Sequence, residues 1–323
     1  MDRSLRISVN LWIVFILCIP SVTVNLLAIV ILTRGKCGLS TCTTCYLVAM
    51  ATADLLVIIT EVLLTRVRYY YFPRSFLDIT HVCRINTFLR RASTDCSVWF
   101  TVAFSFDRCV AICCLKLSRK YCTGKTAAVV LSTTGTLLCL KNIPFYFTQE
   151  PVEVINNVPW GCTIKPNYFT NPIWIGYDWF DVVLIPFLPF ALILLLNALT
   201  VKHIIVASHV RKRLRGQTKG ENQSDPEMES RKKSVILLIS ISGSFILLWL
   251  VYVINFFYYS ITASNFMGYH SAMYIFSQVG YMLVNLSCCT NTFIYGVTQS
   301  MFREQVKKAL KYPITSIFHF MNK

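Results

Sequence analysis

Between Cys83 and Cys109 the chain carries Arg90, Arg91, Asp95, Asp107 and Arg108 among mainly apolar neighbours. The guanidinium groups of Arg90 and Arg91 present a planar donor fork suited to bidentate recognition of a carboxylate or phosphate. Asp54 stands alone within Leu47-Val48-Ala49-Met50-Ala51-Thr52-Ala53-Asp54-Leu55, and a carboxylate in so apolar a run needs a partner, either an ion or a set of hydrogen bonds. The chemistry on offer is recognition. No HExxH, GxSxG or P-loop occurs, and Asp54 lacks a nearby intramembrane histidine or second catalytic carboxylate, so no enzymatic activity is expected.

These groups need an element to position them. Thr87, Arg90, Thr94, Ser97, Thr101, Ser105 and Arg108 recur at steps of three and four, which puts them on one face of a helix, with Phe88, Leu89, Val98, Trp99, Val102 and Phe106 on the others. At about 1.5 Å per residue the stretch from Cys83 to Cys109 runs nearly 40 Å, longer than the roughly 30 Å hydrocarbon core of a bilayer. A charge turned to lipid costs several kcal/mol. The polar face therefore looks inward, and this helix is the central one of a bundle.

The composition agrees. With 55% hydrophobic and 14% charged residues and a mean hydropathy of +0.55, the chain lies outside the soluble globular range. The predicted fold is an all-α membrane protein, a seven-transmembrane-helix bundle with a short amphipathic eighth helix, forming one domain over residues 1–323. The helices are expected at about 9–33, 44–68, 80–114, 124–147, 172–208, 229–260 and 268–297, the amphipathic helix at 299–311 and a flexible polar loop at 212–230. Phe302, Val306 and Leu310 share one face of the last helix, with Arg303, Lys307, Lys308 and Lys311 on the others, the pattern of a helix lying on a membrane surface.

A formal net charge of +16 raises nucleic acid as a partner, but the basic residues cluster beside the ends of the spans. Arg211-Lys212-Arg213, Arg231-Lys232-Lys233 and Lys307-Lys308 fall on one side, which fits the positive-inside rule with the N-terminus extracellular and the C-terminus cytoplasmic. The bilayer is the partner this charge serves, and no nucleic acid is expected. In this topology Cys83 and Cys162 both face the oxidising compartment and pair as a disulfide. The other twelve of the 14 cysteines lack metal-ligand spacing and read as small apolar fillers. Pro186 and Pro189 are expected to kink the fifth helix.

Taken together, Asn25, the run Leu47 to Asp54, Cys83 with Cys162, Asp107-Arg108-Cys109, Phe245 with Trp249, and Asn291-Thr292-Phe293-Ile294-Tyr295 resemble the rhodopsin-like (class A) G-protein-coupled receptors over essentially the whole chain. Some details look like the branch of orphan receptors related to peptide and aromatic amino-acid receptors. The chain departs from the family pattern at Cys109 for Tyr, Thr292 for Pro, Val251 for the sixth-helix Pro, and in having no Trp in the fourth helix. Two missing prolines put the usual kinks in doubt. Arg231, near where many relatives carry an acidic residue, points to a weak resting clasp and raised basal activity.

The resemblance implies a multi-pass receptor of the plasma membrane that binds an extracellular ligand and activates a heterotrimeric G protein. Asp107, Arg108, Phe245, Trp249, Asn291 and Tyr295 would be the coupling and switch residues. Asp54, Ser97, Ser287 and Asn291 match an intramembrane sodium pocket, an allosteric ion rather than a cofactor. Arg90 stands where amine receptors of the family have Asp, which disfavours a biogenic amine. The ligand site would comprise Glu61, Arg90, Arg91, Thr94, Asp181, Trp249, Tyr252, Phe256 and Tyr281, with Asp178 as a further carboxylate, and would take a small zwitterion such as an aromatic amino acid, or a short peptide. The competing reading is that Glu61, Asp95 or Asp181 neutralise the two arginines internally. A constitutively active or silent receptor-like scaffold without a diffusible agonist is the alternative function. A transporter is disfavoured because no repeated hydropathy halves are found, and a retinal protein because the seventh helix has no Lys.

Overall fold

The structure is a computed structural model that describes residues 18–34, 37–72, 74–215, 226–262 and 271–308. Among these, seven long helices follow one another: α1 (Ile19–Thr33), α2 (Thr41–Val57, continued by a π-helical stretch Ile58–Val67 and a last turn Arg68–Tyr71), α3 (Thr80–Cys113), α4 (Gly124–Asn142), α5 (Pro172–Val182, a π-helical turn Val183–Phe187 and Leu188–Arg215), α6 (Pro226–Thr262) and α7 (Ser271–Thr298). A short helix, α8, covers 300–308. Helical turns occupy both ends of the stretch expected as a loop, since α5 reaches Arg215 and α6 starts at Pro226.

Local chemistry sets several of these boundaries. The Ser40 hydroxyl accepts the Thr43 amide at the start of α2, Thr123 caps α4 through the Thr126 amide, and Asn171 caps α5 through the Ile173 amide with Pro172 in the first turn. Each cap satisfies an amide that has no partner inside its helix. Pro186 lies inside the wide turn of α5, where its missing N–H is accommodated. With Thr at position 292 and Val at 251, α7 and α6 run as continuous helices.

The third helix is central, as its polar face requires. Of its apolar window 61% is buried, against 17% for α4 and 22% for α5. Its 34 residues span about 50 Å, and it packs on α2, α4, α5 and α6. Leu137, Leu194 and Leu247 on the outer helices are exposed, on the surface that lipid covers. Two apolar clusters fill the interior. Tyr46, Leu47, Met50, Phe104, Ile241, Tyr295 and Phe302 form one around the α7–α8 end, which buries the apolar face of α8. Val98, Val102, Ile185, Ile193, Phe245 and Trp249 form the other, at mid-depth.

The segment between α4 and α5 folds into two short antiparallel pairs, β1 (Gln149–Glu150) with β4 (Thr163–Ile164) and β2 (Glu153–Ile155) with β3 (Val158–Trp160). Asn156 and Asn157, both at positive φ, make the two-residue turn between β2 and β3. Several links tie this segment to the top of α3 and the turn before it, among them the Cys83–Cys162 disulfide, the Thr80 hydroxyl donating to the Gly161 carbonyl at 2.8 Å, the Gln149 amide donating to the Thr87 hydroxyl at 3.0 Å, and the Gly161 amide donating to the Asp78 carbonyl at 2.7 Å. Gly161 sits at φ +71°, and a Cβ there would meet the Val152 side chain at 2.8 Å, so no other residue fits. In the turn that precedes α5, Tyr168 donates to Asp178, and burial followed by that hydrogen bond pushes its hydroxyl well above the ordinary tyrosine range.

Cys162→Ser releases a loop closed over a sequence separation of 79 and is expected to cost about 2–5 kcal/mol. Surface immunolabelling against total protein should show most of the variant retained inside the cell, and an unchanged surface fraction would refute this role for the bridge.

Candidate functional site

Between the outer halves of α2, α3, α5, α6 and α7 lies a cavity of about 190 Å³. All nine residues expected at a ligand site line it: Glu61, Arg90, Arg91, Thr94, Asp181, Trp249, Tyr252, Phe256 and Tyr281. Val57, Asp95, Val182, Ile185, Pro186, Val284 and Asn285 complete the wall. Asp178 lies outside that wall, where its carboxylate accepts the Tyr168 hydroxyl.

Charge inside the cavity is extensively paired. Arg90 Nη1 donates to Glu61 Oε2 at 3.0 Å, and Arg66 Nη2 donates to Glu61 Oε1 at 3.3 Å, so one carboxylate serves two guanidinium groups. Arg66 also donates to Gln278 of α7 at 3.0 Å. Arg91 Nη1 meets Asp181 Oδ2 at 3.2 Å and lies over the Phe145 ring, 3.6 Å from its centroid. Lys141 joins Asp95 Oδ2 at 2.6 Å and contacts Asp181 as well. The internal neutralisation foreseen for the arginines is thus present, but it is incomplete. Four cations (Arg66, Arg90, Arg91, Lys141) face three carboxylates (Glu61, Asp95, Asp181), and the surplus sits on the Glu61 cluster, where the Arg90 side chain is 33% exposed.

Below the cavity the polar face of α3 is engaged along its length. The Ser97 hydroxyl donates to Asp54, and Asn291 Nδ2 donates to the other carboxylate oxygen at 2.9 Å. Ser287 is turned away from Asp54: its hydroxyl accepts Trp249 Nε1 at 3.2 Å and donates to the Val284 carbonyl at 2.6 Å. Phe245 and Trp249 stack with ring centroids 5.3 Å apart, and Tyr252 and Tyr281 continue the aromatic column upward. Asn25 joins α1 to α7, donating to the Cys288 carbonyl at 2.8 Å and accepting the Thr292 hydroxyl at 3.3 Å. The position expected for a kinking proline thus supplies a hydrogen bond between helices.

At the cytoplasmic end Asp107 is fully buried and holds Arg108 through Nε at 3.0 Å and through Nη2. The Cys42 thiol donates to Asp107 Oδ1 at 3.0 Å. That corrects the reading of Cys42 as an apolar filler, because a cysteine opposite a buried carboxylate acts as a weak donor. The side chain of Arg231 lies outside the described residues. Tyr295 is buried, its hydroxyl has no partner among the described residues, and its ring meets Phe302 of α8 edge-on at 6.0 Å.

Glu61→Gln strands two guanidinium groups and is expected to cost about 3 kcal/mol or more, lowering the melting temperature of the purified protein by about 6 °C or more. Adding Arg66→Gln returns the cluster to its original charge and should recover much of the loss. Equal melting temperatures for the single variant and wild type would show that the shared carboxylate is dispensable.

Over residues 24–295 the sequence matches the seven-transmembrane receptors of the rhodopsin family. Curated relatives include cysteinyl leukotriene receptor 1 of Sus scrofa, 21% identical over 86% of this chain and 77% of the relative. Growth hormone secretagogue receptor type 1 of Homo sapiens is 24% identical over 88% of this chain and 76% of the relative. Neuropeptide receptor 22 of Caenorhabditis elegans is 27% identical over 90% and 66%. With a match of that extent lying on a bundle that buries Asp54, Asp107 and Arg108 around one central helix, the chain belongs to the rhodopsin family of seven-transmembrane, G-protein-coupled receptors.

Proposed function

We propose that this receptor binds a small zwitterion of the size of an aromatic amino acid, or the corresponding end of a short peptide, and passes the signal to a heterotrimeric G protein at the plasma membrane. The surplus guanidinium at Glu61 carries this reading. A ligand carboxylate at Arg90 would complete a cluster in which one acid is shared between two bases. Trp249, Tyr252, Phe256 and Tyr281 offer the flanking aromatic surface. A cavity of about 190 Å³ falls below the roughly 300–1,000 Å³ of drug-sized sites, which favours one compact molecule. The relatives' names refer to a leukotriene, a secretagogue and a neuropeptide and so select no single ligand.

The disulfide belongs on the oxidising side, which supports an orientation with the cavity mouth outside and α8 inside. Receptor activity with no enzymatic step is the reading the cavity supports. Ligand binding would bias a two-state equilibrium through the Trp249–Phe245 column. Asp107, Arg108, Asn291 and Tyr295 are the groups that rearrange at the G-protein end. The resting clasp on Arg108 is intact, and Cys42 braces it.

A sodium ion fits the donor set at Asp54. One carboxylate balances one monovalent charge, the Ser97 and Ser287 hydroxyls are hard oxygen donors of the type such ions take, and the Asn291 amide, whose nitrogen faces Asp54, would turn to offer its oxygen. When bound, the ion would supply a positive charge between α2, α3 and α7. Ser97 and Asn291 already orient the carboxylate, and Ser287 would have to leave Trp249 to join them.

A screen of amino acids and short peptides on surface-expressed receptor, read with several G proteins in parallel, supplies the agonist. Arg90→Ala is then expected to lower its potency about 30-fold or more at equal surface expression, and an unchanged potency ends the carboxylate reading. Replacing choline with sodium should weaken agonist binding about fivefold in the wild type and leave Asp54→Asn unaffected. Equal sodium sensitivity in both would dismiss the ion site.

A further inference from the structure

Where α4 ends, its last turn sends a primary ammonium between two carboxylates that come from different helices. Lys141 Nζ lies 2.6 Å from Asp95 Oδ2 of α3 and also contacts Asp181 Oδ1 of α5. All three side chains are at least 84% buried, with exposures of 10% for Lys141, 6% for Asp95 and 16% for Asp181. The helix end is held from outside, because the Tyr177 hydroxyl donates to the Lys141 carbonyl. Asn142 Nδ2 donates to Asp95 Oδ2 at 2.5 Å, and its Oδ1, in a residue with no exposure, has no partner among the described residues.

Two acids side by side do not make a site, but this pair already holds an organic cation, and both acids are part of the cavity wall. Lys141 is not part of that wall; it reaches the acids from α4. Of the other charged groups near the pair, Arg91 is committed to the second oxygen of Asp181 at 3.2 Å and to the Phe145 ring. Arg90 is committed to Glu61, and Asp178 to Tyr168. An ammonium is a compact charge with three donors on a flexible stem, and two acids from different helices with the buried Asn142 amide beside one of them suit it better than a planar guanidinium.

We propose that Asp95 and Asp181 form a primary-alkylammonium subsite on the cavity wall, kept filled by Lys141, and that a ligand ammonium enters it by displacing that lysine. This places the cationic end of the zwitterion and to that extent rests on the cavity being the ligand site. The occupancy of the pair does not. Displacement would remove the ionic tie of α4 to α3 and α5 and leave the Asn142 and Tyr177 hydrogen bonds in place, so the lysine acts as a built-in competitor that only a well-placed ligand ammonium overcomes.

The test uses purified full-length receptor, thermal unfolding and propylammonium chloride as the probe, with sodium chloride at equal ionic strength and 1-propanol as controls. Lys141→Met leaves two acids with Arg91 alone and is expected to melt about 5 °C or more below wild type. Millimolar propylammonium should restore its melting temperature along a saturable curve, while both controls fail. Lys141→Met/Asp181→Asn removes one charge of each sign and should show no such response, nor should the wild type, whose subsite is filled. A Lys141→Met receptor that ignores propylammonium, or responds equally to the controls, overturns the proposal, as does an equal response in wild type or the double variant. If Lys141→Met does not reach the cell surface, recovery of surface expression in medium containing propylammonium supports the proposal, and no recovery overturns it. No agonist is involved, so this outcome is independent of what Arg90→Ala does.

Discussion

Packing apolar side chains against one another gains little in lipid, because the hydrocarbon they leave is as apolar as the neighbour they meet. What fixes this bundle is the demand that every interior charge find an opposite charge or a donor on another helix. The third helix supplies five of those charges: Arg90, Arg91, Asp95, Asp107 and Arg108. Arg90 is answered from α2, Arg91 from α5, Asp95 from α4, and Ser97 answers Asp54 of α2. Rotating α3 by one residue would break all four contacts together, which sets its azimuth far more sharply than side-chain shape alone.

This arrangement divides the interior into two electrostatic regimes joined by aromatic rings. Above Trp249 the walls are ionic and hold a cavity. Below it, Phe245, Val102 and Ile193 pack tightly, and the buried charges among the described residues are confined to the Asp54 and Asp107 clusters. Trp249 touches both regimes, with Tyr252 on one side, Phe245 on the other, and its indole N–H held by Ser287. A displacement at the cavity floor therefore has a contiguous packed route downward, and the same residue bears on the Asp54 environment through α7.

Much of this was legible in the residues. The three-and-four spacing from Thr87 to Arg108 gave the central helix and its inward face, and the resemblance to the rhodopsin-like receptors pointed to the residues that line the cavity. Lys141 was harder to place. Near the end of a hydrophobic helix a lysine looks like an interfacial anchor, and its partners lie 46 and 40 positions away on helices whose facing surfaces no periodicity reveals. Cys42 was misread because a thiol beside apolar residues is usually inert, and only the proximity of Asp107 gives it a donor's task. The Asn156-Asn157 turn did carry a signal, since two successive asparagines tolerate the positive φ that a tight hairpin requires.

The π-helical stretch Ile58–Val67 bears on how the chain compares with its relatives. Such a stretch packs more residues into each turn than the α-helix around it, so it is a place where a residue can be gained or lost without breaking the helix. Glu61 lies within it. Shortening the segment by one position would swing everything beyond the cut by about 100° relative to what precedes it. Matching α2 against another receptor residue by residue, with no gap opened inside the membrane, would then pair Glu61 with a side chain that points elsewhere, and a charge essential to this cavity would look like a chance substitution.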